Sequence, residues 1–163
     1  MHILMCNDDG ILADGLRHLA SYLSQYYRIT VVAPANEQSA KSHALTTEVP
    51  LKLDAYNGED ENPRLYALTG TPSDCMKFGL SYLLTDDMPD LVISGINHGF
   101  NLGSDVLYSG TVSAAMESCF YGIPGLALSV ERYSAERGAE MHPFIHELID
   151  KIYVKGQFSG LLN

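Results

Sequence analysis

His2-Ile3-Leu4-Met5-Cys6-Asn7 leads directly into Asp8-Asp9-Gly10. The apolar run reads as a short buried strand, and two adjacent carboxylates stand where it must end. Neighbouring side chains of a regular strand point to opposite faces. Asp8 and Asp9 can converge only if the backbone turns between or just after them, and Gly10 permits that turn. Two carboxylates side by side repel, and one is pushed toward neutrality. A divalent cation removes the conflict. Mg²⁺ and Mn²⁺ take carboxylate oxygens, commonly one or two together with substrate phosphate. The competing reading is an acidic surface turn, a common feature in itself.

The elements that follow locate this turn in a sheet. Leu16, Leu19, Ala20 and Leu23 recur at helical spacing behind Asp14, the expected N-cap. Ile29-Thr30-Val31-Val32-Ala33 is β-branched and apolar, and Pro34 ends it. Strand, helix, strand is the signature of a βαβ unit with a parallel sheet. The polar loop over 34–48 therefore shares the carboxyl edge with Asp8 and Asp9, where ligands of open α/β sheets bind. Ser39, Lys41, Ser42 and His43 become candidates for the same site, each against the plain alternative of a solvated loop.

Leu51 to Asp54 and Leu65 to Leu68 read as short strands around a polar turn over 57–63, in the manner of a hairpin. Thr71-Pro72-Ser73-Asp74 starts a helix: a cap, a proline at the first helical position and an acid at the positive dipole end. Cys75, Phe78, Gly79, Tyr82 and Leu83 are its expected buried face. Asp90-Leu91-Val92-Ile93-Ser94 is a further buried strand. It feeds a glycine- and asparagine-rich stretch from Gly95 to Gly110, long enough to be functional. Phe100, Leu102, Val106, Leu107 and Tyr108 argue for order within it. Ser109-Gly110-Thr111 then opens a helix carrying Val112, Ala115, Met116 and Cys119. Such an N-terminus offers N–H donors, hydroxyls and a positive dipole end to a phosphate; a simple N-cap needs Thr111 alone. Tyr121-Gly122-Ile123-Pro124 stops the helix. Gly125 to Val130 is the last strand before an amphipathic helix with Met141, Phe144, Ile145, Leu148, Ile149 and Ile152 on one face. Pro143 either starts that helix or kinks it. His142 and His146 read as surface or packing histidines.

Length and composition bound the function. With 163 residues, 46% hydrophobic and 18% charged, the chain suits one α/β domain over 1–163. A net charge of −10 with 10 scattered Lys and Arg disfavours a nucleic-acid polymer as partner. No apolar run is long enough to span a membrane. Three cysteines without C-x-x-C spacing argue against a disulfide framework and against structural zinc, so a reducing cytoplasm is the expected home.

Taken together, the chain resembles the SurE (survival protein E) family of metal-dependent nucleotidases. The likeness rests on Asn7-Asp8-Asp9-Gly10; Val32-Ala33-Pro34 with Ser39 and Ser42-His43; Gly70-Thr71-Pro72-Ser73-Asp74-Cys75; Pro89 through Gly99; and Asn101-Leu102-Gly103 through Tyr108-Ser109-Gly110-Thr111-Val112. These stretches stand in the family's order over residues 1 to 130. The resemblance implies a Rossmann-like, mostly parallel sheet between helices, and hydrolysis of nucleoside 5′- and 3′-monophosphates, with trimming of short polyphosphate in some members. It implies one Mg²⁺ or Mn²⁺ held by Asp8, Asp9, Ser39 and Asn97. Asn101, Ser109, Gly110 and Thr111 are the implied phosphate neighbours. His43 is a further candidate near the phosphate, as proton donor to the leaving group or as an ordering residue. Metal-activated water is the expected nucleophile, since carboxylates held by a metal are poor ones.

Two departures stand out. Cys6 occupies a position where the family more often has Ser or Thr. Leu161-Leu162-Asn163 reads as the opening of a strand at which the family continues with a further substantial portion, one that carries arms exchanged between subunits. The expectation is the family's N-terminal core, and a homodimer or homotetramer where the C-terminal portion is present. Three other classes compete. A noncatalytic nucleotide or phosphate binder would need neither the paired aspartates nor a metal. A haloacid-dehalogenase-like phosphatase would show Asp-x-Asp, whereas Asp8 and Asp9 are adjacent. A folded but inactive domain is the third.

Overall fold

The computed structural model describes residues 1–58, 60–155 and 158–163. Seven strands form one sheet in the order β3-β4-β2-β1-β5-β6-β7. They are β1 (His2–Cys6), β2 (Arg28–Pro34), β3 (Leu53–Ala55), β4 (Arg64–Leu68), β5 (Leu91–His98), β6 (Gly125–Val130) and β7 (Leu161–Leu162). All neighbours pair in parallel except β3 with β4, the expected hairpin, whose connecting turn includes residue 59 outside the described residues. The mostly parallel α/β architecture matches the sequence expectation.

Strand alternation sorts the core into two faces. Ile3 and Met5 join Val31, Leu91 and Ile93 beneath α1 (Asp14–Leu23) and α4 (Ala135–Ile149). Leu4 and Cys6 join Val32, Val92, Cys75 and Ala114 beneath α2 (Pro72–Phe78) and α3 (Gly110–Cys119). Each fully buried Leu or Ile contributes roughly 1.5–3 kcal/mol relative to exposure. Continuing the alternation 4, 6, 8 sends Asp8 to the α3 face.

The strand order reverses at β1: β2 lies on one side, and β5 on the other. Ligands of such sheets bind in the crevice at this switch point, outside the carboxyl ends of the strands. Asp8, Asp9 and the end of β5 all reach that crevice.

Several local expectations change. Ala13, not Asp14, occupies the α1 N-cap, without a side-chain bond; Asp14 is the first-turn acid, where the dipole favours it. Tyr82 is exposed: the chain widens into a π turn (Gly79–Leu83), whose different period takes the ring off the expected buried face. Helix α4 begins at Ala135 behind Ser134, whose hydroxyl accepts from Arg137 N–H at 3.2 Å. Pro143 thus lies inside the helix and removes one N–H from its ladder. Phe144 next to it is exposed, off the expected buried face. His146 stacks on Tyr26 with ring centroids 4.0 Å apart, and His142 packs on Tyr22 at 5.3 Å, so both are packing histidines. Cys6 and Cys75 are buried free thiols of the core, and burial raises the Cys75 thiol well above its ordinary range.

Candidate active site

Asn7 makes the turn that the aspartates need. Its fully buried carboxamide donates to Gly10 O and accepts from Gly10 N–H, both at 3.1 Å. Ile11 N–H then donates to Pro34 O at 2.8 Å, and Gln38 N–H to Asp8 O at 2.7 Å. The acidic turn is clamped from its own strand and from the loop after β2.

Asp8 is 5% exposed and sits against the start of α3. The Thr111 hydroxyl donates to its Oδ1 at 2.5 Å, and Thr111 N–H approaches Oδ2 at 3.3 Å. Gly110 allows this approach: a Cβ there would lie 3.0 Å from the Asp8 Cβ and 3.1 Å from the Pro72 ring. The helix cap is Ser109 rather than Thr111, its Oγ accepting from Val112 N–H at 3.1 Å. Ser113 N–H bonds to Ser109 O, so Gly110 N–H is left as the open donor of this first turn, among the described residues.

Asn97 reaches the crevice because β5 runs past Ser94, where the sequence suggests a loop. Regular alternation would place Asn97 with Leu91 and Ile93 on the α1 face. A bulge between Ser94 and Asn97 adds one residue against β6. Ile96 takes the place in the α1-face core, and Asn97 turns to the other side. Gly95 is required at the bulge: its φ is +128°, and a Cβ would stand 2.3 Å from Leu128 O.

A cavity of about 280 Å³ opens at this point. Of the expected residues, Asp8, Ser39, Asn97, Asn101 and Ser109 line it. Gly110 and Thr111 lie beneath Asp8. Asp9 adjoins Asp8, and its buried Oδ2 has no hydrogen-bond partner among the described residues. His43 and Lys41 do not line the cavity; His43 Nε2 instead meets Glu117 Oε2 at 2.6 Å. His98, Asp105, Phe100 and Tyr108 complete the wall. Sequence reasoning assigned them no role there. Asn7 was also without a role, although Asn three residues before Gly is a recognisable turn signal.

The loop over 99–109 is ordered, but of its apolar residues only Val106 packs on the core, against Val112, Ala115 and Ala127. Phe100, Leu102, Leu107 and Tyr108 are exposed. Hydrogen bonds hold it: Gly99 N–H to Val130 O at 2.8 Å, Asn101 Nδ2 to Ser129 Oγ at 3.0 Å, and Ser42 Oγ to Leu107 O at 2.7 Å.

The electrostatics follow from burial. Desolvation raises the Asp8 carboxyl, opposed by the Thr111 hydroxyl bond and by backbone N–H groups. Asp9 is pushed up to about 6, first by burial, then by Asp8, while His98 pulls the other way. No Lys or Arg lines the cavity among the described residues.

This donor set suits a hard divalent cation. Asp8 lines the cavity, the adjoining Asp9 holds a buried oxygen without a partner among the described residues, and Ser39 and Asn97 add neutral donors beside the Asp105 carboxylate. Asn97 spends its Nδ2 on Gly99 O at 2.8 Å, which leaves its Oδ1 for a ligand. Among the described residues, no three His, Cys, Asp or Glu side chains gather as a metal cage. The fit therefore rests on two aspartates with amide and hydroxyl oxygens, the chemistry that Mg²⁺ and Mn²⁺ accept.

The family model for survival protein SurE matches residues 3–163. The chain belongs to the SurE family. It is 49% identical over 156 residues to a 5′-nucleotidase SurE of Thermoanaerobacter sp. (strain X514), covering 96% of this chain and 61% of that one. A 5′-nucleotidase SurE of Caldanaerobacter subterraneus is 48% identical over 155 residues, covering 94% and 60%. The crystal structure of the SurE protein from Aquifex aeolicus superposes with a TM-score of 0.83 at 38% identity, covering 96% and 61%. The chain thus spans about three fifths of the length of these SurE relatives. No helix among the described residues is long and apolar enough to cross a membrane.

Proposed function

We propose that this chain carries the catalytic core of a divalent-metal-dependent phosphomonoesterase acting on nucleoside 5′- and 3′-monophosphates in the cytoplasm. One observation carries the metal dependence. A cavity walled by Asp8 and Asp105, beside Asp9 and without Lys or Arg among the described residues, repels a phosphate unless a cation is bound. Asp8, Asp9, Asn97 and Ser39 are the proposed ligands of one Mg²⁺ or Mn²⁺. When bound, the ion supplies charge that polarises a phosphoryl oxygen and activates a water as nucleophile.

The chain's own residues do the rest. Thr111 fixes the Asp8 carboxylate by its hydroxyl, so that Asp8 meets a ligand in one orientation. Asn101 lines the cavity and gives one Nδ2 hydrogen to Ser129, which leaves the second as a donor for a phosphate oxygen. Ser109 caps α3 with its oxygen lone pair, which leaves its hydroxyl proton free to donate to a phosphate oxygen. Gly110 N–H and the positive end of α3 favour the same negative charge. Donors aimed at developing phosphoryl charge are the main protein contribution in such a site.

The test is phosphate release from a panel of nucleoside monophosphates, first in EDTA and then with added Mg²⁺ or Mn²⁺. Metal-restored release is the expected result. Tight nucleotide binding without any release would favour the noncatalytic binder. Short polyphosphate, offered in the same assay, checks the trimming activity.

A further inference from the structure

Glu117 is a carboxylate in a place meant for apolar groups. It lies on α3 at 4% exposure, and nothing at the cavity uses it. Burying an unpaired carboxylate is strongly unfavourable. Its partners come from two other segments. His43 Nε2 donates to Oε2 at 2.6 Å, and Lys77 Nζ of α2 stands 3.8 Å from Oε1. Lys77 is half exposed and at the limit of contact, so the short bond from His43 dominates.

His43 belongs to the loop that carries Ser39. Gln38 N–H is tied to Asp8 O, and Ser42 N–H to Tyr108 O at 3.1 Å. Ser42 Oγ bonds to Leu107 O, and Thr71 Oγ1 donates to Ala44 O at 2.7 Å. Between these anchors, Ser39 bonds only to Glu37, a neighbour in its own loop, among the described residues. Ala40 and Ser42 hold φ of 55° and 54°, a left-handed backbone that non-glycine residues keep only where surroundings over-determine it.

We propose that Glu117 is a positioning residue: acting through His43, it clasps the 38–44 segment against α3 and the Tyr108 wall, and so fixes Ser39 at the cavity. His43 then serves through Glu117 and not by reaching a phosphate. The effect on turnover rests on the nucleotidase function proposed above; the clasp itself does not.

Hydrogen exchange of the 38–44 amides, without metal or substrate, reads the clasp directly. His43→Ala and Glu117→Ala are expected to speed exchange there about tenfold while α3 stays protected. Glu117→Gln, which keeps an acceptor for the His43 N–H, should restore most of the protection. The double variant His43→Ala/Glu117→Ala should exchange no faster than either single one, as expected of one shared contact. Should Glu117→Ala fail to fold, His43→Ala, at the more exposed end of the pair, carries the test. In His43→Ala, Mn²⁺ affinity should fall and KM rise, each by about tenfold, with kcat nearly unchanged. Unchanged exchange at 38–44 in His43→Ala overturns the clasp, as does loss of α3 protection together with the loop. A kcat loss with KM and exchange unchanged overturns it too, in favour of a chemical role for His43. If the wild type neither binds Mn²⁺ nor releases phosphate, the nucleotidase proposal fails while the exchange result still decides the clasp.

Discussion

Helices α1 and α3 have ten residues each, both pack against β5 and do opposite work. The buried residues of α1 are Gly15, Leu16, Leu19, Ala20 and Leu23, none of them polar. Those of α3 include Thr111, Ser113, Glu117 and Ser118. Ser113 and Ser118 satisfy themselves on Ser109 O and Ala115 O of their own turns. Thr111 and Glu117 reach out instead, to Asp8 and His43, which belong to the acidic turn and the loop after β2. A buried polar group satisfied within its own helix is a matter of stability. One that crosses to another segment positions something. The α1 face therefore holds the sheet together, and the α3 face aims the candidate site.

This division can be broken at its strongest point first. Asp8→Asn should lower kcat/KM by more than about 100-fold, beyond the loss expected for a supporting group, with little change in melting temperature. Steady-state kinetics at saturating Mn²⁺, beside a melting curve, check it; unaltered turnover would refute the metal assignment. On the other face, Leu19→Ala should cost about 2–5 kcal/mol in urea unfolding and leave kcat/KM of the folded protein intact. Thr111→Val keeps the shape and removes the hydroxyl donor to Asp8. It should lower activity and Mn²⁺ affinity about 10- to 100-fold, which titration and kinetics together would show.

The smallest effect concerns Asp9. Its pKa is raised from 3.8 to about 6, so the fold favours the neutral acid. That stabilisation is full below the unfolded value and is lost as pH rises through the folded one. In EDTA, Asp9→Asn should therefore match the wild type below about pH 4 and be more stable by about 1 kcal/mol at about pH 7, once solvent screening is allowed for. Melting curves across that window check the sign.

Much of this was legible in the residues themselves. Apolar runs marked β1, β2, β5 and β6, and Thr71-Pro72-Ser73-Asp74 announced a capping box that the structure forms in both directions. Asp8 and Asp9 stood out because adjacent carboxylates at a strand end pose a charge problem before any fold is known. Other features were hidden for physical reasons. The start of α4 over 135–140 is polar because those turns face solvent, and so it lacked periodicity. Gly95 looked like a strand breaker, yet β5 runs through it. Ser109 and Thr111 are both able to cap α3, and only the position of Asp8 decides which hydroxyl is spent where. The partner of His43 lies 74 residues away in the chain, beyond the reach of any local pattern.

The bulge in β5 makes the site a question of parity. Between Ile93, which faces α1, and Asn97, which faces the cavity, the count of residues decides the side of the sheet on which the amide emerges. Pairing the same residues in regular alternation, without the bulge, would change neither the length of the chain nor any residue in it. It would send the Asn97 amide through the sheet into the hydrocarbon layer beneath α1, and bring Ile96 to the acidic mouth in its place. For a strand, a slip of one place is a reflection: composition survives it, and chemistry does not.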